Sequence, residues 1–358
     1  MKLFIVIPDK YAGCGYYRQY QPHNRLAKTH DVEVTLGAGV YKHDNEFGVD
    51  ADIIQFHKGY IDGDGIREAK RRGIVTIVDF DDWWALNTEH IFYREYINKN
   101  ATKKLENLLQ LPDYITVTTE LLAVEARKFN PNVVVLPNAM DMNYPNCQAE
   151  RKKEDKTVFA YLGGHCHMKD IERLRGLNNK LSSRNDYKFR LMGMDGTDIY
   201  NQYADIMSDS GRLAKTHFDW VRKYNIWDYP LFYSYLDVSL VPLVDNKFNS
   251  MKSELKLIEA GFFHKAVVVD NVEPYKGILK HKQNAMVVNK PSDWFKHCKY
   301  LLDNPEAIKD LGEALYETVQ PYEVDEVNKK RYKFYNDVLE KRNTNSSIRN
   351  SRLSLVNG

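Results

Sequence analysis

The chain has 358 residues, 43% of them apolar and 28% charged, with a formal net charge of +2. That length suits two domains of ordinary size with sizeable cores, and the near-balance of charge counts against a strongly electrostatic nucleic-acid binder. Four cysteines, Cys14, Cys147, Cys166 and Cys298, are scattered without a CxxC pair, which predicts a reduced, cytoplasmic chain with no disulfide framework.

Residues 2–7 read as a buried parallel strand. Pro8 ends the run, which is too short for a secretory signal core, and no apolar run approaches a membrane span. The run YAGCGYYR at 11–18 follows. Gly13 and Gly15 allow a tight turn and a close backbone approach, with a helix from about 16 to 29 beyond them. The loop is neither GxGxxG nor a Walker motif. Arg18, in the first turn of the helix, is a candidate for an anion or else a surface arginine.

Strands are predicted at 32–36 and 52–57. His57 closes the second, at the C-terminal edge where ligands gather in open parallel sheets; a structural histidine is the alternative. A helix at 65–72 and a strand at 74–79 lead into Asp79, Asp81 and Asp82. Three carboxylates in four residues suit a hard cation, but the preferred reading is a strand-end loop in which one aspartate caps the next turn or pairs with a base. Residues 98–110 form a basic amphipathic helix. A strand at 112–119, a helix at 120–129 and a strand at 133–136 complete the first series.

Residues 141–156, rich in Asn, Pro, Glu and Lys without periodicity, read as an interdomain linker. A second α/β series begins with a strand at 157–162. Next come a tight loop (Gly163, Gly164, His165, Cys166, His167), a helix at 168–181 and strands at 187–192 and 217–220. A helix at 228–235 and a strand at 237–243 follow. His165, Cys166 and His167 are not read as a metal site, because adjacent residues on one loop rarely close a tetrahedron. The glycine pair reads instead as a backbone-rich anion site.

After a polar loop, a helix begins near Ser250, with Met251, Leu255, Ile258 and Phe262 at helical spacing and Gly261 near its end. Lys252, Ser253, Lys256 and Glu259 lie off that apolar row. A helix start carrying Ser and Lys after a strand end suits a phosphate-bearing ligand, and Glu259 suits sugar hydroxyls. A surface helix with solvated charges is the alternative. A strand at 266–269 and helices at 291–302, 304–318 and 322–341 follow. The Asn/Ser-rich tail, 343–358, reads as disordered.

Two βαβ-rich halves, a linker near the middle and a long last helix resemble the GT-B glycosyltransferase architecture: an α/β fold of two Rossmann-like domains facing a central cleft. The run VLPNA at 135–139 resembles the VxPNGxD end of the N-terminal domain in the GT4-type (glycosyl transferases group 1) family. YLGGHCHMKD at 161–170 resembles the start of its donor domain, and KSELKLIEAG at 252–261 resembles its donor helix. Gly13, Gly15, Tyr17 and Arg18 resemble its N-terminal glycine loop. Glu259 matches the second of two glutamates the family often carries on that helix. Met251 stands where the first would be, and Lys252 or Lys256 substitutes for the usual cations on the diphosphate.

The resemblance implies an acceptor domain over 1–142, with the helix 322–341 packing back on it, and a donor domain over 156–320. It implies transfer of a sugar from a nucleotide-diphosphate sugar to an acceptor hydroxyl, with retention and without a metal. No cofactor is implied beyond that co-substrate. The donor would meet Gly13, Gly15, Arg18, Gly163, Gly164, His165, Lys252, Ser253, Lys256 and Glu259. His57, Asp81 and Asp82 would serve catalysis, His57 facing the sugar or the acceptor hydroxyl and the two aspartates orienting acceptor hydroxyls. The acceptor would be a glycan, a lipid-linked species or another hydroxyl compound, with peripheral membrane contact through the basic helix as a further expectation. Two alternatives stay open: a non-catalytic nucleotide- or carbohydrate-binding protein on this fold, and a phage-type DNA-base glycosyltransferase, which the near-zero net charge disfavours.

Overall fold

The computed structural model describes residues 1–358 apart from 8–9, 11–12, 43–45, 59–60, 149, 151–153, 165, 194–196, 213–216, 222–224 and 357–358. The chain divides into two compact units. One comprises Met1–Trp84, Ile97–Asp141 and Val324–Gly358, the other Ala85–Tyr96 and Met142–Glu323. The excursion 85–96 joins the second unit although no composition shift marks it. Among the described residues no helix is long and apolar enough to cross a membrane.

The first unit is built on a six-stranded parallel sheet: β1 (Lys2–Val6), β2 (Glu33–Gly37), β3 (Ile53–His57), β4 (Val75–Phe80), β5 (Tyr114–Val117) and β6 (Val133–Val135), in the order β2-β1-β3-β4-β5-β6. Runs of Ile and Val buried on both faces suit a covered parallel sheet, and every residue of β3 and β4 is buried. Local caps set where the crossover helices begin. Asp62 accepts from the amides of Asp64 and Gly65 to start Gly63–Arg71. Thr119 accepts from Leu122 to start Glu120–Ala126.

The helix expected over 98–110 is two pieces, Tyr93–Asn98 and Ala101–Leu108, parted by Asn100 at φ 51°. The last helix, Val324–Val356, sets Phe334, Tyr335 and Val338 into the core beside Leu3, Ile5, Ile53 and Ile77. It continues through 343–356, where disorder was expected. No glycine or proline interrupts those residues, and the polar composition alone does not stop a helix already nucleated.

The second unit has its own six-stranded parallel sheet: β7 (Thr157–Leu162), β8 (Tyr187–Met192), β9 (Phe218–Val221), β10 (Val238–Val241), β11 (Ala266–Asp270) and β12 (Met286–Val288), in the order β12-β11-β10-β7-β8-β9. Counted from its own first strand, this is the 3-2-1-4-5-6 order of dinucleotide-binding sheets, with the reversal between β7 and β10. The helix expected over 168–181 breaks where Gly176 takes φ 75° ahead of Leu177–Leu181. The helix expected from Ser250 also divides. Asn246 accepts from the Asn249 amide and caps a short turn, Lys247–Ser250, and the main helix starts only at Leu255, running to Phe262. There Gly261 permits close packing on Glu306–Val319, since an added Cβ would lie 2.7 Å from Val319 Cγ2.

Candidate functional site

In the second unit the strand-order reversal puts the loops after β7 and β10 side by side at the carboxyl edge, where open sheets bind ligands. The β7 loop turns at Gly163, where an added Cβ would meet the Tyr161 hydroxyl at 2.4 Å. Gly193, after β8, adopts φ 84°, and a Cβ there would lie 3.3 Å from the Gly163 backbone. These two glycines let the loops close on each other. Asp170, 5% exposed, then ties the β7 loop to the β10 loop. Its Oδ2 is 2.8 Å from His167 Nδ1. Its Oδ1 accepts from the Val244 amide at 2.8 Å and from Asn249 Nδ2 at 3.2 Å. Arg173 holds Asp270, at the end of β11, through two bonds of 2.5 and 2.6 Å, and Asp270 in turn accepts from the Leu243 amide.

These ties frame a recess lined by Cys166, His167, Lys169, Asn246, Asn249 and Lys252, with Asn87, Glu89 and His90 from the 85–96 excursion. Lys252 and Ser253 fall in the turn before the main helix, not on it, and Lys252 Nζ lies 4.8 Å from the Phe248 ring centroid. His90 packs against the same ring at 5.5 Å. Gly163 and Gly164 follow β7 directly, while His165 lies outside the described residues. Lys169, Asn246, Asn249 and His90 were not singled out from sequence. Asn246 carried a readable signal as a helix cap, whereas His90 carried none, because nothing local ties residues 85–96 to this unit.

Lys256 and Glu259 point inward. Glu259 is 1% exposed. Its Oε2 accepts from the Tyr233 hydroxyl at 2.9 Å and from Lys256 Nζ at 3.1 Å, and Lys256 also meets the Tyr229 hydroxyl at 2.7 Å. Burial tends to lower the Lys256 pKa, but Glu259 and Tyr229 outweigh it and raise it. Burial, with Glu259 adding to it, pushes the Tyr229 phenol up to about 12.

In the first unit the strand order reverses between β1 and β3. Gly13 and Gly15 begin a helical stretch instead of a tight turn: Gly15 has φ −61° and ψ −39° and leads into a π-helical turn, Tyr16–Tyr20, and then Gln21–Thr29. Among the described residues the glycines are helical, so the expected turn does not form at Gly13 and Gly15. Arg18, 1% exposed, lies in the π-helical turn. It grips Asp79 through Nε at 3.0 Å and Nη2 at 2.6 Å, and its Nη1 donates to the Leu136 carbonyl at 2.7 Å. The guanidinium read as an anion ligand is thus engaged with a carboxylate inside the unit. Asp79 also accepts from Thr116 at 2.6 Å and from Gln19 at 3.0 Å. Gln19 accepts from Gln55, which accepts from Tyr335. Asp79, read in the preferred sense of a carboxylate paired with a base, is the hub of this network.

His57, Asp81 and Asp82 come together one strand end further out. Lys58 Nζ lies 2.5 Å from Asp81 Oδ1 and 3.6 Å from Asp82 Oδ2, and His57 Nε2 lies 3.7 Å from Asp81 Oδ1. Burial alone would raise the Asp81 pKa, but Lys58 and then His57 outweigh it and hold it at about 2. Burial lowers the His57 pKa against the pull of Asp81. Burial, helped by Asp81, pushes the nearby Cys14 thiol up to about 11.

The two parallel sheets define the GT-B glycosyltransferase fold, and solved structures of that class superpose on most of the chain. Sucrose-phosphate synthase from Thermosynechococcus elongatus matches with a TM-score of 0.67 at 12% identity, over 95% of this chain and 99% of that one. HepE from Anabaena, solved with UDP and glucose, matches with a TM-score of 0.64 at 11% identity, over 93% and 98%. A glycosyltransferase from Rickettsia africae matches with a TM-score of 0.64 at 12% identity, over 94% and 98%. No family model and no curated protein sequence matches the chain.

Proposed function

We propose that the chain is a glycosyltransferase that moves a sugar from a UDP-sugar to an acceptor hydroxyl, with retention and with no metal on the diphosphate. The observation that carries this reading is the recess at the strand-order reversal of the second unit, where Lys169, Lys252 and Asn249 stand together. The choice of uridine draws on HepE, whose structure contains UDP. Breaking the anomeric C–O bond leaves negative charge on the diphosphate, and preorganised cations and backbone N–H groups stabilise it most where charge develops. Lys252, Ser253 and the amides of Gly163 and Gly164 would take that role. Glu259 would receive the ribose, exchanging its bonds from Tyr233 and Lys256 for ribose hydroxyls. His57, Asp81 and Asp82 would receive the acceptor, a glycan, lipid-linked or other hydroxyl compound, in the cytoplasm.

A second reading, a nucleotide- or carbohydrate-binding protein without turnover, is favoured by Met251. That residue stands at the position of the first family glutamate and is 3% exposed, so it offers no carboxylate to the transferred sugar. One experiment separates the readings. The purified chain is screened against UDP-, GDP-, ADP-, TDP- and CMP-sugars by thermal shift and donor hydrolysis, with Lys252→Ala and Glu259→Ala alongside. The transferase reading expects stabilisation by a UDP-sugar and slow hydrolysis in chelator, both weakened in the variants. Stabilisation without turnover, even with acceptors added, selects the binding protein. No response to any nucleotide overturns both.

A further inference from the structure

We propose that Cys14 Sγ, His57 Nε2 and Asp81 Oδ1 form a site for a zinc-class divalent ion in the first unit. The three ligand atoms lie within 4.8 Å of one another. In a tetrahedral zinc site, Zn–N and Zn–S bonds set neighbouring ligand atoms roughly 3.3–3.8 Å apart. The His57–Asp81 pair already stands at 3.7 Å, so closing the site requires only a modest approach of the thiol. His57 is 4% exposed, and its Nε2 is buried with no hydrogen-bond partner among the described residues. An orphaned imidazole nitrogen costs free energy, and a metal ion is a partner that this nitrogen can take. One sulfur, one nitrogen and one oxygen match zinc's preference, while the thiol disfavours magnesium and calcium, which take oxygen ligands.

Lys58 now sits against Asp81 and is the group the ion displaces. Its side chain is 26% exposed and already lies 3.6 Å from Asp82, so it keeps a carboxylate when it leaves. Binding releases one proton, from Cys14, as the thiol becomes thiolate. Three protein ligands leave a fourth position for water or a substrate oxygen. The inference rests on this geometry and not on the transferase reading, whose diphosphate chemistry belongs to the second unit.

The test uses the full-length protein, stripped with chelator and titrated with Zn²⁺ against a chromogenic competitor, then with Co²⁺ as a spectroscopic probe. The expected result is one ion per chain and a thiolate-to-cobalt charge-transfer band. Cys14→Ser should abolish the band and weaken Zn²⁺ binding by more than about tenfold, because a direct ligand matters at least as much as an outer-shell partner. Lys58→Met removes the competing cation and should tighten binding. No charge-transfer band in the wild-type chain overturns the proposal. So does Zn²⁺ affinity unchanged in both Cys14→Ser and His57→Gln. A Lys58→Met chain that binds more weakly than wild type would also count against it.

Discussion

Both sheets reverse their strand order once, and the two reversals are used in opposite ways. In the first unit the polar groups beside it face one another: Arg18 closes on Asp79, Lys58 on Asp81, and Gln19, Gln55 and Tyr335 continue the chain of bonds inward. In the second unit the buried carboxylates Asp170 and Asp270 tie neighbouring loops and leave lysines and asparagines around a recess. Topology marks both places as ligand edges. The residues at the strand ends decide whether that edge is filled by an internal network or left lined for a ligand.

Losing a charge from the first unit's network should therefore cost far more stability than losing a recess lysine from the second. Removing one partner of a buried ion pair typically costs about 3–5 kcal/mol, because the other charge is stranded. Asp79→Ala leaves Arg18 without its carboxylate and should lower denaturant stability by an amount of that order. Arg18→Met with Asp79→Leu, which removes both charges, should recover much of the loss. Equal losses in the single and double variants would mean that the network's shape matters and its charge pairing does not.

The next largest effect lies in the second unit and concerns binding. Lys252→Ala removes a cation from the recess rim. A hydrogen bond to a charged group is worth about 1.5–3 kcal/mol, so UDP-sugar affinity by calorimetry should fall roughly ten- to a hundredfold, with little change in the unfolding midpoint. A stability loss on the scale of Asp79→Ala would erase the contrast between the two edges.

The sheets themselves were legible, because the short, largely apolar runs at 53–57, 75–80, 157–162 and 266–270 admit little else. What was not legible was the direction in which polar side chains point. Arg18 and Glu259 have the residue type and the spacing of ligand contacts, yet the first is 1% exposed and grips Asp79 and the second is 1% exposed and holds Lys256. Their partners are 61 residues away in one case and three in the other, and only the near one lies within reach of a local pattern. The glycine loop misled for a related reason: Gly13 and Gly15 allow a turn without requiring one, and helical angles won. The division of the helix at 250–255 was readable in principle from Asn246, an N-cap residue with its acceptor three positions ahead of the amide it binds.

Acid should weaken the first unit's buried network next. Burial lowers the His23 pKa to about 3, below the ordinary histidine value of about 6.5. Its neutral form therefore stabilises the fold above about pH 6.5, and that contribution is lost as pH falls towards 3. The slope is at most about 1.4 kcal/mol per pH unit for one proton. Asp81, held at about 2, adds a loss in the same direction below about pH 4. Asp270 in the second unit is raised, chiefly by burial, so it gains relative stability as pH falls through its folded pKa. His23→Gln should flatten the wild-type decline between pH 6.5 and 4; an unchanged slope would assign that decline to other groups.

The smallest effect tests whether Glu259 belongs to the fold or to the ligand. Tyr233 is 1% exposed, stacks on Phe263 at 4.6 Å and donates to Glu259 Oε2. Tyr233→Phe keeps the ring and deletes the hydroxyl's bond to Glu259, worth roughly 1.5 kcal/mol or somewhat more for a charged acceptor. Lys256 remains on the same oxygen at 3.1 Å, so the carboxylate is not left unpaired and the stability loss should stay near the low end. If Glu259 gives up its bond from Tyr233 to take a ribose, the variant has less to lose on binding, and UDP affinity should hold or rise. If Glu259 serves only to fix Tyr233 and Lys256, affinity should fall along with stability. Calorimetry with UDP on Tyr233→Phe and Glu259→Gln, read beside their unfolding midpoints, tells these apart: a rise in the first with a fall in the second makes the carboxylate a ligand contact, and a parallel fall makes it part of the packing.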